Sequence, residues 1–285
     1  MDFMFDGESL SSKGYMVYYD NIEDEELPTS SMTYKTIRAA MSDISHMVAH
    51  EYEDNYSRVF AIMKSPCENN EDMVLTEEDI SNMTRWLVRK QYKEFRYVDE
   101  NGEPNSIWYK VQNKVDKIVY AGDVIGLKIT VNSNAPYAFE THSYEFDSVD
   151  NGDGTTTYTI EEGGEQVEFS NEFPYFQSDE EGYCYFDMTL TLSNVSTEFP
   201  DLQITTYPFN LTSVQNVSEG ETITIHGGDI LQIESDDPEH VMAKDFNYSF
   251  PRFVNEYNNK HTEMTIGNCD AHIVLTYNQI RKVGL

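Results

Sequence analysis

The sequence predicts a mainly β protein with one principal helix: an α+β unit first, a β-sandwich second. Three observations carry this. Residues 76–90 hold the one long, well-signalled helical pattern. From residue 93 to 137, apolar and polar residues alternate between turn signals, the period of antiparallel strands. After Tyr137 the composition shifts to short aromatic and β-branched runs between Asn- and Gly-rich turns, the spacing of an all-β sandwich. Domains are therefore expected at 1–138 and 139–285.

In chain order, Phe3–Phe5 reads as a strand, Asp6-Gly7 as a turn and Tyr15–Tyr19 as the returning strand. Asn21–Ser31 is acidic and polar and contains Pro28, so it reads as a loop. Thr33–Tyr52 has helical spacing at Ile37, Met41, Ile44 and Met47-Val48. Tyr56–Met63 is a strand ended by Ser65-Pro66-Cys67. The principal helix opens at Thr76, a good N-cap, with Asp79 three residues on and Glu77 and Glu78 in its first turn, where the dipole favours negative charge. Ile80, Met83, Trp86 and Leu87 make one apolar face, and Arg85, Arg89 and Lys90 sit near the C-terminal end. Strands follow at Lys93–Val98, Trp108–Val115, Val119-Tyr120 and Val124–Val131, with a turn at Asn101-Gly102.

In the second domain, Ser143–Val149, Thr155–Ile160 and Gln166–Phe169 form a meander through turns at Asn151–Gly154 and Gly163-Gly164. Tyr183–Asn194, Leu202–Tyr207, Thr222–His226, Ile230–Ile233 and Ile273–Tyr277 continue the sandwich.

The charge bounds function. With 51 acidic and 19 basic residues, the net charge is −32. Specific nucleic-acid binding needs a basic surface, and so does attachment to anionic membranes. Neither is expected, and no apolar run is long enough to insert in a bilayer. The N-terminus lacks the basic and apolar regions of a signal peptide. Cys67, Cys184 and Cys269 form no CxxC pair and read as isolated thiols.

No catalytic constellation can be named, and no cofactor or metal site is expected. Asp147, Asp150 and Asp153 suggest a calcium loop, but the required Gly position holds Thr155 and flanking helices are missing, so a hairpin turn is preferred. Glu161-Glu162 and Asp179-Glu180-Glu181 read as solvated turns in a chain this acidic. His46 and His50 have the spacing of a helical metal pair but lack the Glu of His-Glu-x-x-His. Trp86 reads as core. Phe173-Pro174-Tyr175-Phe176 lies in a polar stretch and is the candidate exposed cluster for a partner or a glycan.

Phe3-Met4-Phe5-Asp6-Gly7 through Gly14-Tyr15 resembles the opening of siphophage distal tail proteins (Dit) and related tail components. Lys64-Ser65-Pro66-Cys67, Thr76-Glu77-Glu78-Asp79, Thr84–Lys90 with Tyr92–Phe95, and Gly126–Thr130 closing on Ala135-Pro136-Tyr137 continue the resemblance in order. Phe246-Asn247-Tyr248-Ser249-Phe250-Pro251-Arg252 is similar to the family's Phe-x-Tyr-x-Phe-Pro-Arg segment. The resemblance implies an N-terminal β-sandwich with a helix, strands over Thr33–Tyr52, and a galectin-like or carbohydrate-binding-module-like C-terminal sandwich. We adopt strands over Thr33–Tyr52, since tertiary context overrides short-range pattern.

It also implies a structural, non-enzymatic virion protein of the phage tail, made in the bacterial host cytoplasm. Such a protein forms a hexameric ring that joins the tail tube to the tail tip or baseplate and leaves a channel for DNA. Its partners are then copies of itself, the tail-tube protein and a tail-tip protein, with a host-surface glycan as the alternative for the C-terminal domain. Phe3, Phe5, Tyr15, Glu23, Asp24, Glu25 and Trp108 are the candidate ring contacts, and Phe173, Tyr175 and Phe176 the candidate glycan contacts.

Overall fold

The computed structural model describes residues 2–20, 32–38, 43–52, 55–66, 73–228, 230–256 and 259–282. Strands make up 59% of it. It separates into two compact units, Met1–Glu140 with Ile280–Leu285, and Thr141–Gln279.

The first unit begins with β1 (Asp2–Phe5), β2 (Glu8–Ser9) and β3 (Tyr15–Asp20). Asp6 and Gly7 join β1 to β2 with φ of 52° and 82°, a left-handed pair that suits a tight hairpin. The hairpin of β4 (Met32–Arg38) and β5 (Ser45–Tyr52) comes next, then β6 (Ser57–Lys64). Extended backbone thus holds over Met32–Arg38 and Ser45–Tyr52, where local spacing alone suggests a helix. Helix α1 (Glu77–Leu87) leads to β7 (Lys93–Val98), β8 (Pro104–Tyr120) and β9 (Asp123–Ser133). The two strands expected around Trp108 and Val119 are one, broken only by a register shift between Ile118 and Val119.

The strand order in this unit is β2-β1-β7-β8-β9-β6-β3. The sheet curls over, because Phe3 on β1 stacks with Phe60 on β6 at 5.7 Å although three strands lie between them. β9 runs closely between its neighbours. A Cβ on Gly126 would meet the carbonyl oxygen of Ile62 at 2.6 Å, so a side chain there forces the strands apart. Helix α1 closes the core with Met83, Trp86 and Leu87, and the Trp86 indole donates to the Phe5 carbonyl at 3.2 Å.

The second unit takes in most of β10 (Ala138–Asp150), then β11 (Thr156–Glu162), β12 (Glu165–Ser170), β13 (Gly182–Tyr185) and β14 (Asp187–Ser193). β15 (Leu202–Thr206), β16 (Asn210–Val214), β17 (Thr222–His226) and β18 (Gln232–Ser235) follow. A short helix α2 (Met242–Asp245) precedes β19 (Arg252–Glu256), β20 (Asn259–His261), β21 (Met264–Gly267) and β22 (Asp270–Arg281). Its large sheet runs β18-β17-β14-β22-β10-β11-β12, and two three-stranded sheets, β16-β15-β21 and β13-β19-β20, contribute to the same core. Tyr158 on the large sheet donates its hydroxyl to the Met264 carbonyl at 2.8 Å, fixing one layer against the other.

Tyr183–Asn194, expected as one strand, is two strands in different sheets. The break falls at Phe186, whose ring packs 4.6 Å from Phe253 in the core.

Candidate assembly surfaces

The hairpin of β4 and β5 is a two-stranded sheet of its own. Along it, Tyr34, Ile37, Ile44, Met47 and Val48 are each more than half exposed. The pairing with β4 passes from Met47 to Ala49, so Val48 sits at a bulge, and the unit covers neither it nor Met47. The hairpin's charges are met within it: Lys35 pairs with Glu51 at 2.6 Å and Arg38 with Asp43 at 3.4 Å. An electrically neutral, apolar ribbon therefore projects from a strongly acidic chain. Two-stranded hairpins are marginal in water without a surface to pack on.

A second surface lies at α1. Thr76 and Asp79 form a reciprocal capping box at the helix start. The Asp79 carboxylate also meets the Lys64 ammonium at 2.8 Å. Burial raises the Asp79 carboxyl, but the bonds from Lys64 and Thr76 outweigh it and hold the group below the usual carboxylate range. At the other end Asn113 donates to the Leu87 carbonyl at 3.3 Å and Gln112 to the Lys90 carbonyl at 2.9 Å, which satisfies carbonyls that a helix terminus leaves open. Between helix and β2 lies a cleft of about 490 Å³ lined by Lys13, Arg85, Arg89 and Trp86, with Glu8 and Asp79 among the other walls.

The residues read from sequence as ring contacts are placed differently. Phe3, Phe5, Tyr15 and Trp108 are all buried, the first three in the first unit's aromatic core and Trp108 with its ring 4.9 Å from Phe139. These side chains are spent on the fold and are not free to meet a neighbour. Glu23, Asp24 and Glu25 lie outside the described residues. The glycan candidates are corrected in the same way. Phe173 and Phe176 are buried against Phe253, and Tyr175 is half-buried on Tyr144.

Other aromatic side chains face solvent in the second unit, Tyr183 and Phe199 among them. Phe209 is 98% exposed at the turn between β15 and β16, and Tyr248 is 69% exposed. Both have positive φ, at 54° and 60°, unusual for bulky residues. The turn signal at Tyr207-Pro208 locates Phe209 in hindsight; nothing local marks Tyr248.

The buried Glu221–His240 cluster in the second unit is internally satisfied. Glu221 and His240 are buried together with Oε1 to Nδ1 at 2.6 Å, while His240 Nε2 faces the Gln215 carbonyl at 2.7 Å. Ser218 N–H and the Ser235 hydroxyl donate to the same carboxylate, which closes the network. Asp150 and Asp153 serve the β10–β11 turn, accepting from the Gly152 and Thr155 amides. His46 and His50 lie on strand β5, and four residues of strand separate them by roughly 13 Å, beyond the span of one ion. Among the described residues, no group of three or more His, Cys, Asp or Glu could hold a metal ion. Burial pushes the thiols of Cys184 and Cys269 up to about 12, so both are poor nucleophiles.

Residues 1–135 match the family model described as "Phage tail protein N-terminal domain", and residues 156–277 match "Phage tail C-terminal domain". None of the curated proteins matches the chain. Among solved structures, the fold is similar to the Dit (gp 19.1) protein of SPP1, described as a paradigm of hub adsorption apparatus in phages infecting Gram-positive hosts. The TM-score is 0.57 over 98% of each chain, at 9% identity. The two models together span nearly the whole chain, in the order the fold requires, and the chain belongs to the phage tail proteins, with the fold of a distal tail protein.

Proposed function

We propose that this chain is a structural hub of the phage tail. Six copies form a ring that joins the tail-tube protein above to a tail-tip or baseplate protein below and leaves a channel for DNA. The protein is made in the host cytoplasm and acts in the virion without a catalytic step. The observation that carries this reading is the hairpin of β4 and β5, whose apolar side chains Tyr34, Ile37, Ile44, Met47 and Val48 lie bare in the single chain. Packed on a neighbouring copy, such a ribbon becomes part of a stable sheet or core. The acidic surface supports the channel, because it repels phosphates and lets DNA pass without binding.

Light scattering on the purified full chain, with electron microscopy alone and alongside tail-tube protein, tests the ring. Six-fold particles with a central hole are expected. A monomer under every one of these conditions would overturn the reading. The glycan alternative loses two of its three named contacts, since Phe173 and Phe176 lie in the core.

A further inference from the structure

We propose that the cleft beside α1 receives a carboxylate-bearing surface of a second copy of this chain. The inference rests on the self-assembly reading and gives it a contact surface.

The chain has 19 cations against 51 carboxylates. Four of those cations, Arg85, Arg89, Lys90 and Lys93, fall within nine residues that contain no acid. Lys13 stands across the cleft from Arg85 and Arg89, with its ammonium 5.6 Å above the Trp86 ring. The two carboxylates of the cleft are already engaged: Glu8 with Lys13 at 2.8 Å, and Asp79 with Lys64 at 2.8 Å and with Thr76. Of the cations, Lys13 is held by that Glu8 and Lys93 pairs with Asp6 at 3.1 Å, while the other three are less engaged. Among the described residues, the side chains of Arg85 and Lys90 have no hydrogen-bond or ion-pair partner, and Arg89 reaches Asp6 only at 3.7 Å. Val88 and Tyr92, in the same run of sequence, are each 46% exposed.

Arg85 has a local explanation, since it lies in the last turn of α1, where the helix dipole favours a cation. That effect fades within one turn, and Arg89, Lys90 and Lys93 lie beyond Leu87, where the helix ends. A patch of exposed Arg, Lys, Tyr and Val with unspent positive charge has the composition of a contact surface.

Charge complementarity names the occupant. Copies that each carry −32 repel one another wherever acid meets acid. Their contacts are favoured where this cation cluster faces carboxylates. Cleft against cleft would set cations against cations, so the cleft meets a different, acidic surface of the next copy.

The test uses the full chain and the double variant Arg85→Glu with Lys90→Glu, whose side chains make no bond that the fold needs. Native mass spectrometry follows assembly against concentration. The variant is expected to need at least about tenfold more protein to assemble, the factor that loss of a modest contact produces. Carbodiimide coupling of mixed light and heavy-nitrogen chains should link Lys13, Lys90 or Lys93 to an acidic residue of another copy. Assembly of the variant at the wild-type concentration, or interchain links that avoid all three lysines, would overturn the cleft assignment and leave the ring standing. Failure of the wild type to assemble at all would instead remove the ring reading, and this inference with it.

Discussion

Asp79 joins three parts of the first unit through one carboxylate. It accepts from the Thr76 amide at 2.9 Å, closes the capping box and pairs with Lys64 on β6. Replacing Asp79 by Ala should lower the stability of the first unit by about 1 kcal/mol at neutral pH, the usual effect of losing a cap. Both tryptophans, Trp86 and Trp108, lie in this unit, so indole fluorescence during urea unfolding reports on it alone. The acid side gives a second readout. Asp79 is held below the usual carboxylate range in the folded chain. Its contribution is therefore complete above the unfolded value of about 4 and disappears as pH falls through the lower folded value. The gap between wild type and Asp79→Ala should close on moving from pH 7 to about pH 2. A gap that stays constant over that range would mean that packing, not the carboxylate charge, sets the difference.

At the scale of elements, the hairpin of β4 and β5 should separate folding from assembly. Ile37→Asp with Met47→Asp places charge on an element that packs outside the unit's core. Substitutions at such exposed positions change stability by about 0.5 kcal/mol or less. The variant should keep the wild-type urea midpoint and lose its ring-sized species in light scattering. Loss of the fold together with assembly would show that the hairpin is part of the unit's own core.

The same hairpin marks where the sequence stops being legible. Helix α1 could be read because its cap and its apolar face are both set by residues a few positions apart. The turns at Asp6-Gly7, Asn101-Gly102 and Gly163-Gly164 could be read because φ > 0 selects Gly and Asn or Asp. In β4 and β5 no buried face imposes a period of two, so Ile37, Met41, Ile44 and Met47 fall by accident on a helical spacing. Partner residues were the least legible. Phe3, Phe5 and Trp108 look like contact residues by type, but whether an aromatic ring meets its own core or a neighbour is decided by strands far apart in sequence. The cations of Arg85–Lys93 are visible in the sequence; that Asp6 takes up Arg89 and Lys93 while Arg85 and Lys90 find no side-chain partner among the described residues is not.

For the molecule as a whole, the dominant quantity is charge. DNA binding requires that several phosphates be neutralised, and nonspecific proteins achieve dissociation constants of roughly 10⁻⁴ to 10⁻⁶ M by offering a basic surface. Here 51 carboxylates oppose 19 cations, and the densest run of cations, at Arg85–Lys93, is assigned above to a neighbouring copy. A duplex drawn through a ring of such chains meets repulsion on every side, which centres it and leaves it free to slide. Fluorescence anisotropy of a labelled duplex should therefore show no binding up to about 100 μM chain even near 20 mM salt, conditions that favour electrostatic association most. Saturable binding that weakens steeply with added salt would contradict an inert channel. If Arg85→Glu with Lys90→Glu abolished that binding, the cations beside α1 would face nucleic acid, and their assignment to a subunit contact would fall with the channel reading.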